Sequence, residues 1–402
     1  MEKKLEISEV YNAARVLKDV VRHPRLIGVT KLNPDAEIYL KPENLQYTGS
    51  FKLRGAYYKI SQLTPEEKER GVIACSAGNH AQGVAFGATS NGIKSLICLP
   101  AGAPISKIEA TKRLGAEVCL VPGVYDDAYQ RALDLQKEHG YTMIHPFDDP
   151  LVIAGQGTVG LEILEEMPDV DAIIVPVGGG GLVSGVAFAV KQLTPAIKVY
   201  GVQAAGAPSM AESLHEQHRK HLDSVSTIAD GIAVKEPGEN TFDICMKYVD
   251  EVVTVTEDEI AAAILALIEQ QKLVAEGAGA VSVAAAMFNK VPVEGKKVVC
   301  IVSGGNIDVT NLSRVITRGL VKSGRNCTLR IDLSDRPGQL SAVCSVIGRT
   351  GANIISVIHE RNSPDTPINS CIIGVEIETL NNEHIARLRD ELTRAGFTLV
   401  KD

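Results

Sequence analysis

A lysine in an unusual setting is the first residue in this sequence whose position suggests chemistry. Lys52 lies in the segment TGSFKLRG, residues 48–55, after a Gly-Ser pair and a phenylalanine and at the start of a predicted helix. A lysine kept from water loses its proton more easily, and a neutral amine is a nucleophile that can attack a carbonyl carbon. Lysines on amphipathic segments are also commonly solvated surface groups, so this segment alone leaves both interpretations open.

A second candidate segment is SAGNHAQG, residues 76–83, which is predicted to join a strand to a helix. Small residues there leave backbone N–H groups free at the helix N-terminus, where they can bind an anion such as a carboxylate. The Asn79 side chain can also donate a hydrogen bond to a phenolic oxygen. The same sequence would serve as a tight turn with a capping residue, and His80 alone is more often structural than catalytic.

Two glycine-rich segments follow apolar strands. The run GGGGL at 178–182 comes after DAIIVPV and opens a helix, so consecutive N–H groups can surround a phosphate. Four glycines are costly in an ordinary element, and the run lacks the spacing of a dinucleotide fingerprint. The segment SGGN at 303–306 ends the strand KKVVCIVS, and the Ser303 hydroxyl could bond a pyridine nitrogen there, although SGGN is also a good turn sequence.

These four segments complement one cofactor. An amine, an amide, an anion-binding loop and a hydroxyl are the partners that the aldehyde, phenol, phosphate and ring nitrogen of pyridoxal phosphate require. The sequence therefore predicts that cofactor, and it predicts a phosphate site without a dinucleotide.

Strand-like and helix-like segments alternate along most of the chain, which is typical of βα units on a parallel sheet. We predict a two-lobed α/β fold with the ligand in the cleft, the smaller lobe being nested at roughly 50–150. Residues 204–237 have weak periodicity and are assigned only as connecting structure. The predicted strands include EIYLK, VIACS, SLICLP, EVCLV, DAIIVPV, KVYGVQ, EVVTVT and KVVCIVS, and the predicted helices cover 8–21, 125–138, 158–166 and 281–288, with others from Asn79, Ile105 and Glu257 and one ending at Gln192.

A change of pattern near 319–326, GLVKSGRN, predicts a domain boundary. We therefore expect a catalytic domain over 1–320 and a second domain over 326–402. The second domain is predicted to have the ferredoxin-like order βαββαβ. Its elements are expected at 327–333, 337–349, 353–360, 369–378, 381–395 and 397–400.

Composition excludes several classes of function. The 402 residues carry a net charge of −8, which argues against nucleic acid as the main partner. Eight cysteines without a Cys-x-x-Cys pair favour buried thiols over a zinc or redox site. The N-terminal MEKKLEISEV lacks an apolar core, so we expect no signal peptide and a cytoplasmic protein. Glycines and Pro176 interrupt the uncharged stretch 172–190, so it is not predicted to span a membrane.

The motifs TGSFKLRGA, SAGNHAQG, GGGGL and SGGN resemble those of fold-type II pyridoxal-phosphate enzymes. Together with AGQGT at 154–158, TIADGIAV at 227–234 and AEGAGA at 275–280, they are most similar to the threonine dehydratase (threonine ammonia-lyase) family, over about residues 8–320. The segment DRPGQL at 335–340 resembles an ACT regulatory domain, of which some members of that family carry one copy.

Carried onto this sequence, the resemblance implies that Lys52 binds the cofactor aldehyde covalently and that Asn79 bonds its phenolic oxygen. Phe51 and Gly231 would lie on the two faces of the ring, and Ser303 would bond the pyridine nitrogen. The phosphate would be held by Gly178, Gly179, Gly180, Gly181 and Leu182. The substrate carboxylate would be held by Ser76, Gly78, Asn79 and His80.

The resemblance places Glu276 near the ring without a settled role. Serine racemases, which are close relatives, have acidic residues of a divalent-cation site just after the strand that matches KVYGV. The corresponding residues here, 203–209 (QAAGAPS), contain no acid, so we expect no metal site.

The implied reaction is α,β-elimination, which converts L-threonine to 2-oxobutanoate and ammonia, and also L-serine to pyruvate, with Lys52 removing the α-proton. An amino-acid effector is expected near Arg336-Pro337-Gly338 or Asn353 at a paired ACT interface of a homo-oligomer, either a dimer or a tetramer. The effector could be isoleucine if the role is isoleucine biosynthesis. The alternatives are a serine dehydratase or racemase, a β-replacement enzyme, and a non-catalytic amino-acid sensor.

Overall fold

A computed structural model describes residues 5–361 and 368–400. The chain folds into two compact units, Met1–Asn311 and Leu312–Asp402. The division lies within α13 (Val309–Lys322), a helix that continues into the stretch 319–326, where the sequence predicts the boundary. Within these described ranges, the first unit contains two sheets and the second contains one.

The first unit has ten strands in its described part. Four of them form an all-parallel sheet in the order β5-β4-β3-β6. The other six form a sheet in the order β1-β2-β10-β7-β8-β9, in which only the β1–β2 pair is antiparallel. The strands are β1 (Ile27–Val29), β2 (Glu37–Pro42), β3 (Val72–Cys75), β4 (Ser95–Pro100), β5 (Glu117–Val121), β6 (Thr142–Met143), β7 (Ala172–Pro176), β8 (Lys198–Ala204), β9 (Glu251–Val255) and β10 (Lys297–Val302).

Helices connect these strands. Every residue of β3 and β7 is buried, which is the burial expected for parallel strands with both faces covered. The helices that precede α13 are α1 (Ile7–Leu17), α2 (Lys52–Ser61), α3 (Pro65–Arg70), α4 (Asn79–Ser90), α5 (Ile105–Arg113), α6 (Tyr125–His139), α7 (Pro150–Glu166), α8 (Gly181–Leu193), α9 (Ser209–Glu216), α10 (Glu239–Tyr248), α11 (Glu257–Ala266) and α12 (Gly277–Met287).

Several helix boundaries differ from the sequence predictions. The helix predicted around 158–166 begins at Pro150, because Asp149 caps it by accepting hydrogen bonds from the N–H groups of Leu151 and Val152. The glycines of AGQGT therefore lie inside α7. They allow close packing of helices, since a Cβ on Gly155 would lie 2.6 Å from the Cα of Gly55 on α2.

Other boundaries shift for local reasons. Helix α1 ends at Leu17 rather than residue 21, because the N–H groups of Val20 and Val21 both bond to the Leu17 carbonyl in a closing turn. Helix α12 begins at Gly277, four residues before the predicted start. The segment 204–237, assigned only as connecting structure, contains α9 and a 3₁₀ turn, Asp230–Ile232, that places Gly231.

The second unit contains, after α13, the elements β11 (Asn326–Ser334), α14 (Gln339–Arg349), β12 (Asn353–Glu360), β13 (Ser370–Glu378), α15 (Asn382–Arg394) and β14 (Thr398–Val400). This βαββαβ series forms an antiparallel sheet in the order β12-β13-β11-β14. Helix α14 begins two residues after the predicted Pro337, because Gly338 has a left-handed φ of 90°. Among the described residues, no helix is long and apolar enough to cross a membrane.

Candidate active site

One cavity of about 700 Å³ collects the residues that were assigned to cofactor and substrate from the sequence. It lies in the first unit, where the segments after β3, β7 and β10 meet the start of α2. The carboxyl ends of strands in an open parallel sheet are the expected place for a ligand. The assigned residues on its wall are Phe51, Lys52, Ser76, Gly78, Asn79, His80, Gly178, Gly179, Gly180, Gly181, Leu182, Gly231 and Ser303.

Lys52, the first residue of α2, is a buried amine in this cavity. Its Nζ donates a hydrogen bond to the Pro146 carbonyl oxygen at 2.7 Å and lies 5.3 Å from the centroid of the Phe51 ring. Burial disfavours the charged form and lowers the pKa of Lys52 to about 8, although the Glu276 carboxylate acts in the opposite direction. A substantial fraction of Lys52 is therefore a neutral nucleophile at mildly alkaline pH.

The start of α2 is fixed to the end of β10. The Phe51 N–H donates to the Ser303 carbonyl at 3.1 Å, and Gly305 N–H donates to the Gly49 carbonyl at 2.9 Å. The buried Ser303 hydroxyl lies 3.2 Å from the Ala278 carbonyl oxygen. These bonds place the lysine and the serine, which are 251 positions apart in the sequence, on one wall of the cavity.

The glycine run joins β7 to α8, and neighbouring side chains pack closely around it. A Cβ on Gly179 would lie 2.5 Å from the Phe147 ring, and one on Gly181 would lie 2.9 Å from the Phe147 Cα. Gly180 has a left-handed φ of 99°. Because the first N–H groups of α8 have no partner within the helix, this bare segment can bind an anion. Close packing is therefore a second reason for glycine at these positions, and the sequence alone did not reveal it.

The segment after β3 also lines the cavity. Gly78 N–H donates to the Ser76 hydroxyl at 3.2 Å, and the Cβ position of Gly78 faces open space. His80 is buried, and its Nε2 donates to the Ile144 carbonyl at 2.7 Å. Burial lowers the pKa of His80 to about 3, so its imidazole is neutral. Its hydrogen bond to the Ile144 carbonyl gives the ring a structural role. The predicted contact of His80 with a carboxylate stays a prediction, and its backbone N–H at the start of α4 is the suitable donor.

Glu276 also lies on the cavity wall. Burial raises the pKa of this carboxyl to about 7, with a further increase from Asp230, while the hydrogen bond from Asn79 acts in the opposite direction. A group that titrates near neutrality beside a lysine of lowered pKa is typical of a functional site.

Three cavity features were not predicted from the sequence. Pro146 supplies the carbonyl that binds Lys52, and Phe147 covers the glycine run. Lys107 on α5 forms an ion pair of 2.7 Å with Asp230, which joins two sides of the cavity wall. Each is a contact between distant segments, and no local pattern in the sequence points to it.

A cluster of metal-ligand residue types lies away from this cavity, in the second unit. Ligand atoms of Asp335, His359 and Cys371 all lie within 4.8 Å of one another. Asp335 already pairs with Arg361 at 3.2 Å, which supplies a positive charge beside its carboxylate. No pattern in the sequence pointed to this cluster, and the expectation that the protein binds no metal stays a prediction.

Comparison with known proteins decides the family. Residues 19–304 match the family model described as "Pyridoxal-phosphate dependent enzyme". The chain belongs to this family of pyridoxal-phosphate-dependent enzymes. An L-threonine ammonia-lyase of Thermotoga maritima is 50% identical over 395 residues, which are 98% of each chain.

The chain is also similar to solved structures. The processed form of threonine deaminase isoform 2 from Solanum lycopersicum is 40% identical, with a TM-score of 0.73, and the match covers 79% of this chain and 90% of that one. Maize serine racemase is 34% identical, with a TM-score of 0.74 over 80% of this chain and 99% of that one. The match to the family model confirms the cofactor predicted from the four segments, pyridoxal phosphate.

The cavity suits this family's cofactor. Lys52 is a buried amine that could bond its aldehyde, and the N-terminus of α8 has free N–H groups that could bind its phosphate. Asn79 and the buried Ser303 place an amide and a hydroxyl on the cavity wall, where they could bond its phenolic oxygen and ring nitrogen. The residues present therefore match each functional group of pyridoxal phosphate.

Proposed function

We propose that this enzyme is a threonine ammonia-lyase that converts L-threonine to 2-oxobutanoate and ammonia by α,β-elimination, and that also converts L-serine to pyruvate. The observation that carries the proposal is the buried Lys52 amine, whose pKa is lowered to about 8, in a cavity that also offers a helix N-terminus to a carboxylate. The name of the Thermotoga maritima relative, L-threonine ammonia-lyase, supports the same substrate.

Each cavity residue has a task in this reaction. Bound pyridoxal phosphate supplies an electron sink for charge at the substrate α-carbon. The Lys52 amine accepts the α-proton, and the segment Ser76–His80 at the start of α4 holds the carboxylate. Ser303 would offer the ring nitrogen a neutral hydroxyl rather than a carboxylate, which would make the cofactor a weaker electron sink. Ser303 would thereby favour loss of the β-hydroxyl over transamination.

The nearest alternative is action on serine alone, as a dehydratase or a racemase, since maize serine racemase shares the fold at 34% identity. The test is a comparison of L-threonine and L-serine with the purified holoenzyme, with 2-oxo acids and D-serine measured separately. We expect 2-oxobutanoate from threonine to be the main product. D-serine formed without 2-oxobutanoate would favour the racemase, and no product from either substrate would favour β-replacement or an amino-acid sensor.

We also propose that residues 326–402 form an ACT regulatory domain that binds an amino-acid effector, with isoleucine as the candidate, in a homo-oligomer. The edge strand β12 supports a paired interface, because it has no partner on one side among the described residues and exposes Ile355, Val357 and Ile358. Exposed apolar edge strands are normally covered in native proteins. The proposed effector position is near Arg336-Pro337-Gly338, just before α14, or at Asn353, the first residue of β12.

A further inference from the structure

Three polar side chains from distant segments form one hydrogen-bonded chain at the cavity. Asn306 follows β10, Asn79 begins α4, and Glu276 immediately precedes α12. Asn306 Nδ2 donates to Asn79 Oδ1 at 2.6 Å, and Asn79 Nδ2 donates to Glu276 Oε1 at 2.5 Å. Asn79 comes after β3 of the four-stranded sheet, whereas Asn306 comes after β10 of the six-stranded sheet. These hydrogen bonds therefore join the two lobes.

The direction of this chain is fixed by a backbone group. Asn306 Nδ2 also donates to the Thr48 carbonyl at 2.8 Å, and a carbonyl can only accept. Asn306 must therefore present its nitrogen, and Asn79 must present its oxygen to Asn306 and its nitrogen to Glu276. An amide nitrogen carries two hydrogens, and Glu276 accepts one, so the other remains for a ligand in the cavity.

Two glycines leave the space that this chain of bonds occupies. A Cβ on Gly304 would lie 2.3 Å from Glu276 Oε1 and 3.0 Å from Asn79 Nδ2, and one on Gly231 would lie 3.5 Å from Glu276 Oε1. Any larger residue at position 304 would collide with the Glu276 and Asn79 side chains. The turn that follows β10 is therefore not the only reason for glycine there.

We propose that Glu276 and Asn306 are positioning residues that hold the Asn79 amide so that its remaining N–H points to the phenolic oxygen of the cofactor. Without them the amide can rotate and present its oxygen instead, which repels the phenolic oxygen. The inference rests on the assignment of the Asn79 amide to the phenolic oxygen of the cofactor. It does not depend on which amino acid is the substrate.

The test measures cofactor binding rather than turnover. Asn79→Ala, Asn306→Ala, Glu276→Ala, Glu276→Gln and the double variants with Asn79→Ala are prepared free of cofactor. Pyridoxal phosphate is then titrated at about pH 9, where Lys52 is mostly neutral. Each titration gives the dissociation constant and the visible absorbance maximum of the bound cofactor. Asn33→Ala is the matched control, because Asn33 is a buried asparagine that also donates two hydrogen bonds of 2.8 Å but lies outside the cavity lining.

We expect Asn306→Ala and Glu276→Ala each to weaken cofactor binding about tenfold and to shift the absorbance maximum, since each frees the amide. In the Asn79→Ala background neither should have a further effect, because both act through Asn79. Glu276→Gln should retain binding and spectrum, since its amide oxygen can accept the same hydrogen bond. Asn33→Ala should leave the absorbance maximum unchanged.

Three results would overturn the inference. They are an unchanged spectrum and affinity in Asn306→Ala, full additivity with Asn79→Ala, or a loss in Glu276→Gln as large as in Glu276→Ala. The last result would mean that the charge of Glu276 acts directly. Failure of the proposed function would appear differently, as wild-type protein that binds the cofactor normally but releases no 2-oxobutanoate.

Discussion

Arg54 binds both carboxylate oxygens of Glu43, through Nε at 2.8 Å and Nη2 at 2.8 Å, and both side chains are fully buried. Arg54 also donates to the two carboxylate oxygens of Glu162 on α7. Arg54 lies two residues after Lys52, so this paired charge fixes the first turn of α2. The lysine is thus held by a rigid helix start rather than by a flexible loop.

Removing this guanidinium should strongly destabilise the protein. Arg54→Ala leaves the buried Glu43 carboxylate uncompensated, which typically costs about 3–5 kcal/mol of the free energy of unfolding. Urea unfolding of the cofactor-free protein measures this cost. Lys59→Ala on the same helix is the control, because Lys59 pairs with Asp149 at a partly exposed position, where a pair contributes about 1 kcal/mol or less. Equal losses in the two variants would contradict the account.

The rate of cofactor attachment should depend on pH with a midpoint near the Lys52 pKa of about 8. Burial lowers this pKa below the usual value for lysine, so the neutral amine appears as pH rises through 8, and the attachment rate rises with it and then levels off. Mixing cofactor-free protein with pyridoxal phosphate and following the absorbance from about pH 6 to about pH 10 measures the midpoint. In Glu276→Gln the midpoint should fall, since a carboxylate that favours the charged lysine is removed. A midpoint near the ordinary lysine value of about 10.4 would contradict burial as the cause.

Gly181→Ala should damage the proposed phosphate site, because there is no space for the added Cβ. Alanine is normally better than glycine in a helix by about 1 kcal/mol, but here the new Cβ would lie 2.9 Å from the Phe147 Cα. Overpacking of this kind costs about 1–3 kcal/mol, so we expect lower stability and cofactor affinity weakened at least about tenfold. Gly348→Ala on α14 is the control, because its Cβ meets open space, and it should be neutral or stabilising. A stabilised Gly181→Ala with intact cofactor affinity would show that the packing is not restrictive.

Effector binding should depend on the exposed edge of β12. We expect L-isoleucine, added to the full-length holoenzyme, to release or absorb heat and to change threonine turnover and the mass measured by light scattering. Ile358→Asp places a charge on the apolar edge and should give smaller particles and abolish the response. Thr393→Asp, an exposed change on α15 far from β12 in sequence, is the control and should respond like wild type. No heat and no change of activity with isoleucine or valine would contradict the proposal of a regulatory domain.

The sequence predicted those site residues that belong to recognisable local motifs. Lys52, Asn79, the glycine run and Ser303 each follow a strand or open a helix, so their positions at the cleft between the two lobes could be predicted without knowing any contact. The helix starts at Pro150 and Gly277 were missed because glycines inside α7 and α12 resemble loop residues, and only the approach of neighbouring segments explains them. Glycine in those positions reflects packing against other backbones.

Contacts between distant segments could not be predicted. The Pro146 carbonyl that binds Lys52 and the Lys107–Asp230 ion pair depend on how the two lobes of the first unit meet. Likewise, SGGN indicated a turn with a useful serine, but the role of Asn306 depends on Asn79, which is 227 positions away. A single sequence contains no signal for such pairs.

The most direct test of the central claim is the release of 2-oxobutanoate from L-threonine, measured with a coupled dehydrogenase for wild type, Lys52→Ala and Lys59→Ala loaded with pyridoxal phosphate. Wild type and Lys59→Ala should both release 2-oxobutanoate, and Lys52→Ala should lose turnover together with the absorbance of covalently attached cofactor. Threonine deamination that persists in Lys52→Ala, or its absence in cofactor-loaded wild type, would contradict the account.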